Sequence, residues 1–146
     1  MLIQFSKLWK NHPYPKFPCD KALFANQCAI RMGVALELSG VDTSSFDTKY
    51  PQRRCYPGLK HSPRHILAAQ ELANWIDATE NSAFGKKKVI KGGALESLKS
   101  KKGIVFIMNG WGNTDHIDLW DGETLKGGDA DWLNLGDEVW FWEISV

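Results

Sequence analysis

Gly103-Ile104-Val105-Phe106-Ile107-Met108-Asn109-Gly110, followed after a polar turn by His116-Ile117-Asp118-Leu119-Trp120-Asp121-Gly122, is the stretch on which the fold turns. Its first part is an apolar run of the length of a buried strand, which Asn109-Gly110 breaks. Its second part alternates apolar and polar residues and ends in Asp-Gly, a hairpin signal. Val139-Trp140-Phe141-Trp142-Glu143-Ile144 reads as a closing strand. An antiparallel sheet of at least three strands is therefore expected in the C-terminal half.

Upstream, the period changes from two to that of a helix. In residues 26–38, Ile30, Gly33 and Val34 with Ala29, Met32 and Leu36 fall on one helical face, Asn26 suits an N-cap and Gly40 a stop. A second helix is expected from Ser62 as cap and Pro63 at the first helical position, with Ile66, Ala69, Leu72, Ala73 and Ile76 on one stripe. A short helical piece, Ala94 to Ser100, follows the turn at Gly92-Gly93. Helices first and strands after describe an α+β fold, with N-terminal helices packed on a C-terminal antiparallel sheet. The region from Val41 to His61, with Pro51 and Pro57, is the least regular and reads as a loop.

The chain has 146 residues, 43% hydrophobic and 24% charged. That suits one compact domain, 1–146, without low-complexity tracts. A net charge of +1 argues against a dedicated nucleic-acid binder. Lys86, Lys87 and Lys88, and Lys99, Lys101 and Lys102, read as solvated loops or as a basic rim that attracts an anionic polymer. No apolar run is long enough to insert in a membrane, and residues 1–13 lack the apolar core of a secretory signal, so a chain made in the cytoplasm is expected. The seven Trp suggest either a Trp-rich core or a sugar-stacking surface, with the core the weightier reading.

Cys28 falls in the first turn of its helix, where orphan backbone N–H groups and the helix dipole stabilise a thiolate. Its own backbone N–H is then the expected oxyanion donor. His116 opens a strand just after a polar turn, a natural position for a side chain that faces a cleft. A Cys and a distant His on separate elements make the pair a thiol hydrolase needs. A third group must hold one imidazole nitrogen protonated. Asp118, Asp121, Asp129 and Asp131 are candidates; Asp118 is set aside as too close in sequence, and Asp129 or Asp131 is expected to reach back after the Asp121-Gly122 turn.

His61 and His65 are four apart, but the helix starting at Ser62-Pro63 leaves His61 outside it, so no metal site is read there, and His12 in its Pro-rich stretch reads as surface. Lys91-Gly92-Gly93 and Lys126-Gly127-Gly128 lack the endings of phosphate or dinucleotide loops and read as turns. No cofactor is expected.

The strings Asn26-Gln27-Cys28-Ala29-Ile30-Arg31-Met32, Gly103-Ile104-Val105-Phe106 and Asp115 to Gly122, with Pro18-Cys19 and Val139 to Trp142 in the same order, resemble the type VI secretion amidase effectors of the fourth amidase-effector family. The resemblance implies a papain-like cysteine peptidase fold and a Cys-His-Asp triad. It implies hydrolysis of the bond between D-glutamate and meso-diaminopimelate in peptidoglycan stem peptides. Cys28 and His116 carry over directly. The family's Asp precedes a Trp soon after the Asp-Gly turn, which favours Asp131, while an apparent insertion at Lys126-Gly127-Gly128 keeps Asp129 in competition. A cognate immunity protein, delivery by the secretion apparatus and action in the periplasm of a target bacterium are further implications. An oxidising periplasm would permit a bridge between Cys19 and Cys55; three reduced cysteines are the other reading. The residues alone also allow a papain-like hydrolase of another amide or ester, or a non-catalytic wall-binding module using Trp111, Trp120 and Trp132.

Overall fold

A computed structural model describes residues 4–14, 16, 27–50, 66–78, 86–111 and 114–144, without the side chains of 47–49, 111 and 114. Helices α1 (Phe5–Asn11), α2 (Cys28–Leu38), α3 (Ser44–Lys49) and α4 (Ala69–Ala78) come first. They are followed by strand β1 (Lys88–Ile90), helix α5 (Ala94–Ser97), strands β2 (Gly103–Trp111) and β3 (Thr114–Trp120), a 3-10 turn at Ala130–Asn134 and strand β4 (Glu138–Glu143). The four strands form one antiparallel sheet in the order β1-β4-β2-β3.

β2 lies between β4 and β3 and is buried on both faces, which is why its sequence is a continuous apolar run without alternation. Ile104 and Phe106 join Ile117, Leu119 and Trp142 against Met32, Leu36, Leu72 and Ile76 of the helices. Val105 and Ile107 turn to a second core with Leu98, Trp120, Leu125, Leu133 and Phe141. Ile117 and Leu119 thus put β3's helix-facing side to work in packing, and the intervening His116 and Asp118 project from its other side. β3 is an edge strand, so those side chains lie at the border of the sheet.

α2 buries Ala29, Ile30, Met32, Gly33, Ala35 and Leu36 and stops where the sequence signals it. Gly40 has φ 96°, a left-handed conformation that glycine adopts without the Cβ penalty, and the N–H of Val41 returns to the carbonyl of Leu36 at 3.0 Å. The helix starts at Cys28 itself, with Gln27 in the cap position; Asn26 lies outside the described residues.

Other expectations are corrected. The expected second helix is seen from Ala69, because Ile66 to Ala68 are not helical; Ser62, Pro63, His61 and His65 lie outside the described residues. The irregular stretch after Val41 contains α3, anchored by the fully buried Phe46. Lys88 belongs to an edge strand, and Lys87 bridges Asp77 at 3.1 Å and sits 3.8 Å above the Trp140 ring, so the lysine run is partly structural. Asn109-Gly110 is a bulge inside β2, with Asn109 at φ 55° and the register with β3 shifting between Ile107 and Trp111.

Trp120 and Trp142 are fully buried and Trp75 nearly so, as a Trp-rich core requires. The Trp120 indole N–H donates to the carbonyl of Leu98 at 2.8 Å, tying β3 to α5. Trp120→Phe leaves that carbonyl unsatisfied and a void beside it. The expected cost is about 1–3 kcal/mol, read as a lower urea midpoint with an unchanged slope.

Candidate active site

Three elements converge at the start of β3. The N-terminus of α2 brings Cys28, 7% exposed, with its sulfur 3.9 Å from the carbonyl oxygen of Asp115. Helix geometry directs the first-turn N–H groups toward the same place. Asp115 is itself fixed by the β2 bulge, since its carboxylate accepts the N–H of Asn109 at 2.9 Å. The next residue is His116.

The His116 Nε2 lies 2.8 Å from Oδ2 of Asp118, and the ring also hydrogen-bonds the Cys28 thiol, for which Nδ1 is the nitrogen left. Burial works to neutralise this imidazole, but the hydrogen bonds and charges of Asp118 and Cys28 outweigh it and raise its pKa to about 9. The ring is thus held protonated between a thiol and a carboxylate, with a neighbour on each side to which a proton can pass.

Asp118, not Asp131 or Asp129, is the carboxylate that meets His116. Residues i and i+2 of a strand project to one face, and the imidazole spans the gap between them. The objection that two residues is too close therefore fails. Asp118 is 1% exposed, and its Oδ1 accepts the N–H of Leu119 at 2.8 Å. The N–H of Gly127 reaches both its oxygens, at 3.2 and 2.9 Å. A Cβ on Gly127 would meet Oδ2 at 3.4 Å, an ordinary van der Waals contact, so the loop packs directly against the carboxylate. The Lys126-Gly127-Gly128 segment, read as a plain turn, thus cradles the acid.

Asp129 and Asp131 are both exposed, at the start of the 3-10 turn. What that turn delivers is Trp132, whose ring meets the His116 imidazole edge-on at 5.0 Å and 89°. The Asp-Trp pair does come to the site, but with the indole facing in. Trp120 is wholly buried and offers no stacking surface. His12, expected at the surface, is 4% exposed, and its Nε2 lies 3.6 Å from Oδ1 of Asp118.

Cys19 and Cys55 lie outside the described residues. Among the described residues no cluster of His, Cys, Asp or Glu is arranged to hold a metal ion, and no helix is long and apolar enough to cross a membrane. A groove of about 330 Å³ lined by Phe5, Ser6, Trp9, Lys10, Lys102 and Asp121 lies at the far end of β3 and shares no residue with this site.

Solved structures share this architecture. The type VI effector Tae4 from Enterobacter cloacae superposes with a TM-score of 0.73 at 17% identity, over 99% of this chain and 98% of that one. The effector-immunity complex Tae4-Tai4 from Salmonella Typhimurium gives a TM-score of 0.73 at 16% identity, over 99% and 100%. At such identities the likeness speaks for the fold. No curated protein matches the chain. The profile of the type VI secretion system amidase effector protein 4, Tae4, matches residues 24–142. With most of its length covered by that profile, the chain belongs to the Tae4 family of type VI secretion system amidase effectors.

Proposed function

We propose that this effector is a papain-like cysteine amidase that cuts the bond between D-glutamate and meso-diaminopimelate in peptidoglycan stem peptides, in the periplasm of a target bacterium. The observation that carries the reading is the unbroken contact from Cys28 through His116 to Asp118 at the start of a helix. Membership of an amidase effector family supplies the substrate class. An immunity protein of the Tai4 kind, which accompanies Tae4 in the Salmonella Typhimurium complex, is proposed as its inhibitor.

In the proposed reaction the Cys28 thiolate attacks the amide carbonyl carbon. The oxygen takes up negative charge near the backbone N–H of Cys28. The His116 imidazolium gives its proton to the leaving amine, the C–N bond breaks and a thioester remains. Neutral His116 then takes a proton from water, the hydroxide attacks the thioester, and the Cys28 thiolate departs with the imidazolium restored. Asp118 holds Nε2 throughout, leaving Nδ1 for the proton transfers.

Mass spectrometry of diaminopimelate-type muropeptides tests the reading. Incubation with the reduced protein is expected to give products cut at the D-glutamate to diaminopimelate bond, and prior alkylation with iodoacetamide to prevent it. Intact muropeptides after incubation with folded, reduced protein would overturn the substrate assignment. The pH profile adds a second check. The reactive form needs His116 protonated, and its pKa is about 9, above the ordinary 6.5. Activity should therefore persist as pH rises through 6.5 and be lost only near 9. A basic limb near 6.5 would contradict the thiolate-imidazolium pair.

A further inference from the structure

We infer that His12 is a positioning residue of this site, facing Oδ1 of Asp118 so that Oδ2 stays on His116; the inference rests on the Cys28, His116 and Asp118 reading above. His12 follows α1 as its C-cap, with its N–H on the carbonyl of Leu8 at 3.0 Å, and Pro13 confines it to the extended conformation seen, φ −70° and ψ 121°. The helix end thereby turns the imidazole inward. Pro13 then leads to Tyr14, whose backbone N–H donates to Nδ1 of His12 at 3.3 Å. A nitrogen that accepts carries no proton, so the tautomer is set: the proton is on Nε2, the atom that faces Oδ1 of Asp118 at 3.6 Å.

At 3.6 Å the contact is an oriented dipole against a carboxylate and not a full hydrogen bond. It acts in a nearly dry place, because side-chain exposure is 2% for His12 and 1% for Asp118. The groups of the surrounding elements agree. Burial lowers the His12 pKa to about 4, Asp118 pulls the other way, and Lys126, Arg31 and His116 add to the lowering. At neutral pH the ring therefore stays uncharged and donates without cancelling the carboxylate charge that His116 needs.

The segment carrying His12 is fastened to the helix of the nucleophile. Arg31, three residues after Cys28, donates from Nε to the carbonyl of Lys16 at 3.0 Å and lies 5.0 Å from the Tyr14 ring centroid. A Cβ on Gly127 would come within 3.4 Å of Tyr14 and 3.7 Å of His12, so the same segment also packs on the loop that cradles the acid.

Two substitutions separate positioning from filling. Asn at position 12 can take the Tyr14 N–H but is too short for Asp118, whereas Gln places an amide N–H where Nε2 lies. His12→Asn is expected to lower kcat about tenfold or more, the scale of outer hydrogen-bond partners at functional sites, with KM little changed. Its basic pH limit should also move down from the wild-type value. His12→Gln should keep kcat within about threefold of wild type and the same basic limit. Equal kcat and equal pH limits in the two variants would overturn the inference. If neither variant folds, nitrogen NMR of the wild-type imidazole decides: a neutral Nε2–H tautomer at neutral pH that shifts in Asp118→Asn supports it, and an Nδ1–H tautomer or an imidazolium refutes it. Hydrolysis that survives in Cys28→Ala would instead defeat the underlying reading, whatever the His12 variants do.

Discussion

Cys28→Ala is expected to abolish hydrolysis of muropeptides, with a fall in kcat/KM of about 10⁵-fold or more. Removal of the nucleophile from an acyl-transfer enzyme leaves only the catalysis that binding and oxyanion stabilisation provide. Among the described residues the sulfur is the nucleophilic atom that meets both the Asp115 carbonyl and the His116 ring. The loss should occur in a folded protein. Cys28 packs in the main core as a small side chain, and its truncation removes a single heavy atom, worth about 1 kcal/mol. A circular dichroism spectrum and melting point close to wild type would therefore accompany the loss. Residual activity within about tenfold of wild type would show that the thiol is a core residue and that the chemistry lies elsewhere.

The second large effect separates Asp118 from the carboxylates that the chain pattern favours. Asp118→Asn should lower kcat/KM about 10³- to 10⁴-fold, as loss of the orienting carboxylate does in other triads. Asp131→Asn and Asp129→Asn, both exposed on the 3-10 turn, should stay within about twofold of wild type. A purely structural role for Asp118 predicts lower stability and nothing more. An orienting role also predicts a moved pH profile. Burial depresses the His116 pKa and Asp118, with Cys28, raises it to about 9. Without the carboxylate charge the basic limit should fall toward 6.5. Inactivation by Asp131→Asn with a tolerant Asp118→Asn would reverse the assignment.

What sequence reasoning saw of this molecule, and what it missed, follows from the range of the forces involved. α2 and its stop at Gly40 are local matters of period and backbone conformation, and they are legible. So are β2, β3 and β4, whose apolar and aromatic runs need a sheet to bury them. β1 was missed because a three-residue edge strand beginning with a lysine buries only Ile90, too little to leave a pattern. Cys28 and His116 stand out because their types and placements are unusual, and the resemblance agreed.

The carboxylate that meets His116 was set aside on sequence distance. The alternation that set Ile117 and Leu119 inward already placed His116 and Asp118 on one side of β3. The tight Gly127 amide that makes Asp118 a good anchor comes from a loop whose approach no local signal predicts. His12 was read as surface from its Pro-rich neighbourhood. Its burial depends on contacts with β3 and the Lys126 loop, far away in the chain. Trp132 shows the same limit in reverse: the element expected at the site is there, with the indole against His116 and Asp131 exposed.

The contact between Cys28 and Asp115 joins residues 87 apart in the chain. The pieces on either side form from near neighbours: α2 from its own turns, and the β2–β3 ladder from partners such as Ile107 and His116 across a short connection. Helix and hairpin can therefore each be complete while the thiol and the imidazole are still apart. Joining them waits on closure of the long intervening loop, which is slow relative to local structure and yields no return until the contact is made. On the proposed chemistry, activity therefore requires the long-range contact as well as the local elements, and is expected to return on refolding no earlier than the slowest structural signal.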